Sequence, residues 1–219
     1  MAHPLTYHQL SLSIRFNTVL FPFDAAQFFR ALEKNGFVLD DKIASTPFGA
    51  RIEVSGFVAR KVDTSIRIDT NRQVLAVHCP DPNIAVEQMT LLESILMKEF
   101  GLDASTLAEF YEIIVNVTQD ASVNPIAGWS KRYENDPLTH MVSRLIGKPV
   151  FPFGAKFATQ SVVPNHTDWF EIEVSPFVIA PTEKHNIEIV YRNANREDVF
   201  GFMRRLENIL HELVELVEK

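Results

Sequence analysis

The chain of 219 residues holds one cysteine, Cys79, which excludes an internal disulfide framework. Glycine is scarce at eight residues, and none falls in a GxGxxG or GxxxxGK[ST] pattern, so the sequence has no backbone cradle for a nucleotide phosphate. No serine sits in a Gly-x-Ser-x-Gly elbow either. No apolar run approaches the roughly 20 residues that cross a bilayer. The opening Met1-Ala2-His3-Pro4-Leu5-Thr6 lacks the basic and apolar regions of a signal peptide, so a cytoplasmic location without membrane association is expected. Basic residues are also in deficit. Lys and Arg number 21 against 28 Asp and Glu, a net charge of −7, whereas a protein that holds duplex DNA neutralises several phosphates with Lys and Arg. Protein or small-molecule partners are therefore expected ahead of nucleic acid.

Metal and redox chemistry find little support. His166 and Asp168 stand two apart with His185 downstream, which does not make a ligand set, so no metal and no cofactor is expected. His78 beside Cys79 ends an expected strand, and a buried structural cysteine is the simpler reading of the pair. His3 and His8 fall in an N-terminal segment, and His211 lies among acids on the last expected helix.

What the chain does have is periodicity. Hydrophobic residues make up 46% and charged residues 22%, the balance of a globular protein. Leu10, Leu12, Ile14 and Phe16 alternate with polar residues and predict a half-buried strand. Asp24 is expected to cap a helix carrying Phe28, Phe29 and Leu32 that stops at Asn35-Gly36. Strands are predicted over 50–60, 64–70 and 73–79, with a hairpin turn at Thr70-Asn71-Arg72. Asp81-Pro82 then opens a long helix, with Val86, Met89, Leu92, Leu96 and Phe100 on one stripe and Gly101 past its end.

The second half follows the same plan. A strand over 108–118 places Tyr111, Ile113, Val115 and Val117 on one side. A helical region from Asn124-Pro125 pauses at Asp136-Pro137, runs on toward Met141, Val142 and Leu145, and stops at Gly147. Strands follow near 150–160, 168–180 and 185–193. A final helix from about Arg196 to the C-terminus presents Val199, Phe202, Met203, Leu206, Leu210, Leu213 and Val217.

Two short phrases recur. Pro47-Phe48-Gly49-Ala50-Arg51 returns as Pro152-Phe153-Gly154-Ala155-Lys156, and Glu53-Val54-Ser55-Gly56-Phe57-Val58 returns as Glu173-Val174-Ser175-Pro176-Phe177-Val178. The offsets are 105 and 120 positions, which requires an insertion between them, assigned in part to 161–168. Recurrence in the same order of elements predicts a duplicated unit. The expected fold class is α+β: pseudo-duplicated β-α-β-β-β-α units over 1–104 and 105–219. Together they form one pseudo-twofold domain with a curved antiparallel sheet of about eight strands and helices on one face.

This order, present twice, resembles the TATA-binding-protein fold. In that family two copies form one curved sheet with helices on its convex side, and phenylalanines wedge into the minor groove. The resemblance implies Phe48 and Phe153 as the first wedge of each repeat and Phe57 and Phe177 as the second, with nucleic-acid binding as an alternative function. The strand faces lack the basic residues of that family, so a relation in fold is expected before one in activity.

Strand alternation also predicts which residues face away from the helices. In the first half these are Ser13, Arg15, Asn17, Arg51, Glu53, Arg67 and Asp69. In the second they are Glu112, Ile114, Asn116, Trp169, Glu171, Glu173, Glu188, Val190 and Arg192. One half thus offers Arg15, Arg51 and Arg67, the other Glu112, Glu171, Glu173 and Glu188, with Trp169 as an aromatic anchor. The expectation is a non-enzymatic binding or assembly protein that uses this face to hold a protein partner or its own copy, as a homodimer. A small-molecule site or an unrecognised enzyme in the sheet's concavity, using His78, His166 or His185, is the remaining alternative.

Overall fold

The alternating segment near the N-terminus forms β1 (Leu5–Phe16), whose inward side chains Leu10, Leu12, Ile14 and Phe16 are all buried. The structure is a computed structural model, and it describes residues 4–18, 22–160 and 162–219. His3, and Ser161 at the head of the expected insertion, lie outside the described residues.

A 3-10 turn (Pro22–Asp24) leads into α1 (Ala26–Lys34), and Asn35-Gly36 ends it as expected, with Gly36 at φ 85°. Asp24 does not cap this helix. The cap position is Ala25, which makes no side-chain capping bond, while the Asp24 carboxylate lies 3.3 Å from the Arg51 guanidinium. Then come β2 (Val38–Leu39), α2 (Asp41–Ala44), β3 (Ser55–Lys61), β4 (Thr64–Asp69) and β5 (Val74–His78). Neither β2 nor α2 is foreseen by periodicity, because each is too short to show one. Helix α3 (Pro82–Phe100) begins and ends as the sequence predicts. Asp81 accepts hydrogen bonds from the Asn83 and Ile84 amides, and Gly101 adopts the left-handed conformation that closes a helix.

The second half runs α4 (Ala104–Leu107), β6 (Ala108–Asp120), α5 (Pro125–Arg132), α6 (Pro137–Ile146), β7 (Ala155–Ala158), β8 (Trp169–Pro176), β9 (Lys184–Asn193), α7 (Arg196–Arg204) and α8 (Leu206–Glu218). The expected single C-terminal helix is interrupted at Arg205, whose amide donates to the Phe202 carbonyl in a tight turn. Residues 177–180, expected as strand, form a turn after β8.

All nine strands of the described residues join one antiparallel sheet in the order β2-β3-β4-β5-β1-β6-β9-β8-β7. Strands β1 and β6 run down its middle. One continuous core lies between the sheet and its helices, joining Leu12, Ile14, Ile66, Ile68, Ile113, Val115, Val174, Ile187 and Ile189 to Phe28 and Leu32 of α1, Met89 and Leu92 of α3, Trp129 of α5, Phe200 and Met203 of α7 and Leu210 of α8. Each of these large side chains contributes about 1.5–3 kcal/mol by leaving water. Helices α3 and α7 meet over the central strands. There Arg196 binds Glu93 through two nitrogens, at 2.7–3.0 Å, and its guanidinium lies 3.9 Å from the Phe200 ring.

The strand order corrects one reading of the sequence. The first echo lies near the head of a strand in each half: Pro47–Arg51 ends ahead of β3, and Pro152–Lys156 runs into β7. The second does not: Glu53–Val58 runs into β3, an outer strand, whereas Glu173–Val178 runs out of β8, one strand further in. The fifteen-residue insertion inferred from the two offsets therefore has no structural basis.

Candidate functional site: the open sheet face

Antiparallel pairing lines up side chains in rows across the sheet, and partners in one row point the same way. One row on the face away from the core reads Phe57, Arg67, Ala76, Ser13, Glu112, Arg192, Trp169 from β3 to β8. The next reads Ser65, His78, Ser11, Ile114, Val190, Glu171, Ala158, and beyond it comes Gln9, Asn116, Glu188, Glu173, Lys156. Between them these rows hold most of the residues that sequence alternation assigned to the bare face.

At the centre the side chains are small. Ser11, Ser13 and Ala76 are recessed below larger neighbours, and a depression of about 170 Å³ opens there, edged by Arg67, Asp69, Arg72, His78 and Glu112. A second, of about 100 Å³, lies between Gln9, Asn116, Lys156, Glu171, Glu173 and Glu188. Both are smaller than the few hundred Å³ that a small-molecule pocket takes. A third, of about 260 Å³, lies where Gln9, Ser65 and His78 meet Tyr7, His8 and Pro80. A larger groove of about 650 Å³ lies at the sheet edge, along β2 and β3.

Much of the expected charge is neutralised within the chain. Arg15 pairs with Glu109 at 3.0 Å, and Lys156 with Glu171 at 3.0 Å. Glu112 and Arg192 form a close, largely buried pair. Lys156 is held above the usual lysine range by its hydrogen bond to Glu171, with Glu173 and Glu188 adding to the effect. Arg67 makes no ion pair among the described residues. Glu173 stands directly opposite Glu188 on one side, an arrangement of like charges that weakens a sheet, and opposite Lys156 on the other. Glu188 is softened by Asn116 and Asn186, which donate to it at 3.3 and 3.2 Å.

Several predicted positions lie elsewhere. Arg51 and Glu53 precede β3. Arg51 bridges to Ala25 and pairs with Asp24, while Glu53 accepts from Asn71 in the β4–β5 turn. Asn17 sits just past the end of β1, its amide bonded to the Leu107 carbonyl. Trp169 points to the open side but is only 6% exposed, so it is not the bare anchor the sequence suggested. At that corner Arg192 donates to the carbonyls of Pro164 and His166, drawing the β7–β8 connection over the face, and its guanidinium lies 4.5 Å from the Phe110 ring. The sequence carried no signal for this cover, which depends on contacts between distant segments.

The expected wedge residues separate into two pairs. Phe48 and Phe153 lie in connections and are 85% and 45% exposed. Phe57 is on the open face, 5.2 Å from the His78 ring, and Phe177 stacks on His8 at 5.9 Å.

The imidazole of His78 is pushed below its ordinary pKa, first by burial and then by Arg67, and its Nε2 is buried without a hydrogen bond. Asp168 donates its amide to Nδ1 of His166, and His185 lies on the core side, across from Gln119. The three histidines named from the sequence are thus dispersed. Among the described residues no group of three or more His, Cys, Asp and Glu is placed to hold a metal. No helix of the described residues is long and apolar enough to cross a membrane. The sequence matches no protein-family model and no curated protein.

Proposed function

We propose that this chain is a non-enzymatic, cytoplasmic binding protein that holds a polypeptide partner on the open face of its sheet. The observation that carries the reading is a sheet face turned away from the core whose rows carry many polar side chains, with a cation that makes no ion pair among the described residues, Arg67, on one half and the opposed Glu173 and Glu188 on the other. A partner that presents an acidic group to Arg67 and a basic group between the two glutamates relieves both at once.

The same reading treats the domain as a duplication. Outward from the centre, β1-β5-β4-β3 and β6-β9-β8-β7 follow one connectivity, and the Pro-Phe-Gly-Ala phrase precedes or enters the outermost of these strands in each half. This supports a relation in fold to the TATA-binding proteins.

The test is a comparison of the parent with Arg67→Glu/Glu173→Lys/Glu188→Lys, each tagged and recovered from the cells that make the protein. A photo-crosslinking side chain at position 67 or 173 should attach a discrete protein that the triple variant fails to retain. Identical recoveries, or no crosslinked product from either position, would overturn the proposal.

One observation favours a second reading, nucleic-acid binding: Phe48 and Phe153 are large apolar side chains held in solvent. It predicts salt-sensitive DNA affinity that Phe48→Ala/Phe153→Ala abolishes. A gel shift at low salt showing no complex dismisses it.

A further inference from the structure

Helix α6 is turned inside out. Its buried or half-buried side carries Thr139, Val142 and Ser143, while Leu138, Met141 and Leu145 point to solvent at 67%, 66% and 86% exposure. Those three lie at i, i+3 and i+7 and so form one stripe, about 10 Å long at the α-helical rise. The helix is well made in itself. The Asp136 side chain accepts from the Thr139 amide at 2.7 Å and its hydroxyl at 2.9 Å, Pro137 opens the first turn, and Gly147 closes the helix in the left-handed conformation. A capped helix that shows its hydroxyl side to the body and its leucines to water leaves its apolar surface uncovered, which a monomer rarely does.

We infer that a second copy of the chain covers this stripe, with α6 packing antiparallel on α6 of the partner about a twofold axis near Met141. Two properties of the segment favour a copy of itself. The stripe is nearly palindromic, with Leu138 and Leu145 on either side of Met141, so a twofold sets Leu138 against Leu145 of the other copy and Met141 near its own mate. Charge is distributed to match. Glu134 and Asp136 stand at the N-terminal end and Arg144 and Lys148 at the C-terminal end, so antiparallel pairing brings acids to bases at both ends. Parallel pairing would set like against like. The opposed helix dipoles act in the same sense.

A three-residue stripe is smaller than the roughly 800 Å² per partner of a standard interface, so the association is weak and reversible. The interface is separate from the open sheet face and does not depend on what that face binds.

Sedimentation equilibrium over a range of concentrations tests the inference, with Leu145→Glu as the disrupting variant. The parent should be a reversible dimer, and the variant should associate about a hundredfold more weakly because the twofold buries two charges against leucine. Position 145 is solvent-exposed, so the variant should keep the parent's circular dichroism and melting temperature. Orientation is tested by crosslinking. Cys79 is buried, so the chain has little competing thiol. Under mild oxidation Met141→Cys should form a disulfide-linked dimer, and Leu138→Cys mixed with Leu145→Cys should crosslink faster than either alone. A parent that stays monomeric, a dimer that Leu145→Glu leaves intact, or crosslinks of Leu138→Cys to itself in preference to Leu145→Cys would each overturn it.

Discussion

Helices α1 and α6 are both amphipathic and both end in a glycine that closes the turn, yet they behave in opposite ways. In α1 the residues Phe28, Phe29 and Leu32 are at most 1% exposed, pressed against the first half of the sheet. In α6 the corresponding apolar stripe stands in water. The 3.6-residue period marks a helix and a hydrophobic face in each case, but what covers that face is decided by the rest of the molecule or by another one. The first half spends its apolar helix on its own core, whereas the second half keeps α6 outside it.

The largest effect should separate the two helices. Phe28→Ala is expected to cost about 3–5 kcal/mol, because a buried aromatic leaves both lost contacts and a cavity. Leu138→Ala in α6 should change the monomer's stability by less than about 0.5 kcal/mol. Urea denaturation at a concentration where the chain is monomeric measures both, and similar costs would erase the contrast.

A second comparison concerns the seam between the halves. Arg196 of α7 reaches Glu93 of α3, and the pair is only partly accessible. Arg196→Ala leaves that carboxylate and the Tyr111 hydroxyl bonded to it, at 3.1 Å, without their cation, and should cost about 2 kcal/mol by the same denaturation.

Acid should weaken the second half through His185. This imidazole is 1% exposed and 3.4 Å from Glu218, with Gln119 and His211 nearby, and burial lowers its pKa despite the pull of the carboxylate. The unfolded chain therefore binds the proton more readily than the folded one. Stability should be full above the unfolded value of about 6.5 and fall as pH drops below it. His185→Gln should reduce the dependence of the melting temperature on pH between about 7 and 5, leaving the part due to His78, whose shift has the same direction. A variant that retained the full slope would remove His185 from the account.

A small gain is expected at the β3–β4 turn, where Val62 has φ 44° and is 93% exposed. A β-branched residue is disfavoured there, so Val62→Asn should raise stability by about 0.5–1 kcal/mol, read as a higher melting temperature.

Local chemistry made much of this legible from the sequence. Asp81-Pro82 and Gly101 bound α3, Asn124-Pro125 opens α5, and alternation over 108–118 gives the inward side of β6 correctly. Failures came where the deciding contact is distant. Nothing near Arg205 marks the break between α7 and α8, since the apolar spacing runs through it from Phe202 to Leu210. Trp169 is buried although its row faces the open side, beside Arg192 that ties down the β7–β8 connection, and Arg51 pairs with Asp24 instead of lying on the sheet. Lys156, seen in the sequence only as part of an echo, became part of the open face once β7 was paired with β8.

Thiol labelling of Arg67→Cys and Glu173→Cys gives the most direct test of the open face as a binding surface, measured on purified protein and again in fresh extract of the cells that produce it. Fast reaction of both in isolation and strong protection of both in extract is the predicted result. Equal rates in the two settings, or slow labelling of the purified protein, would contradict it.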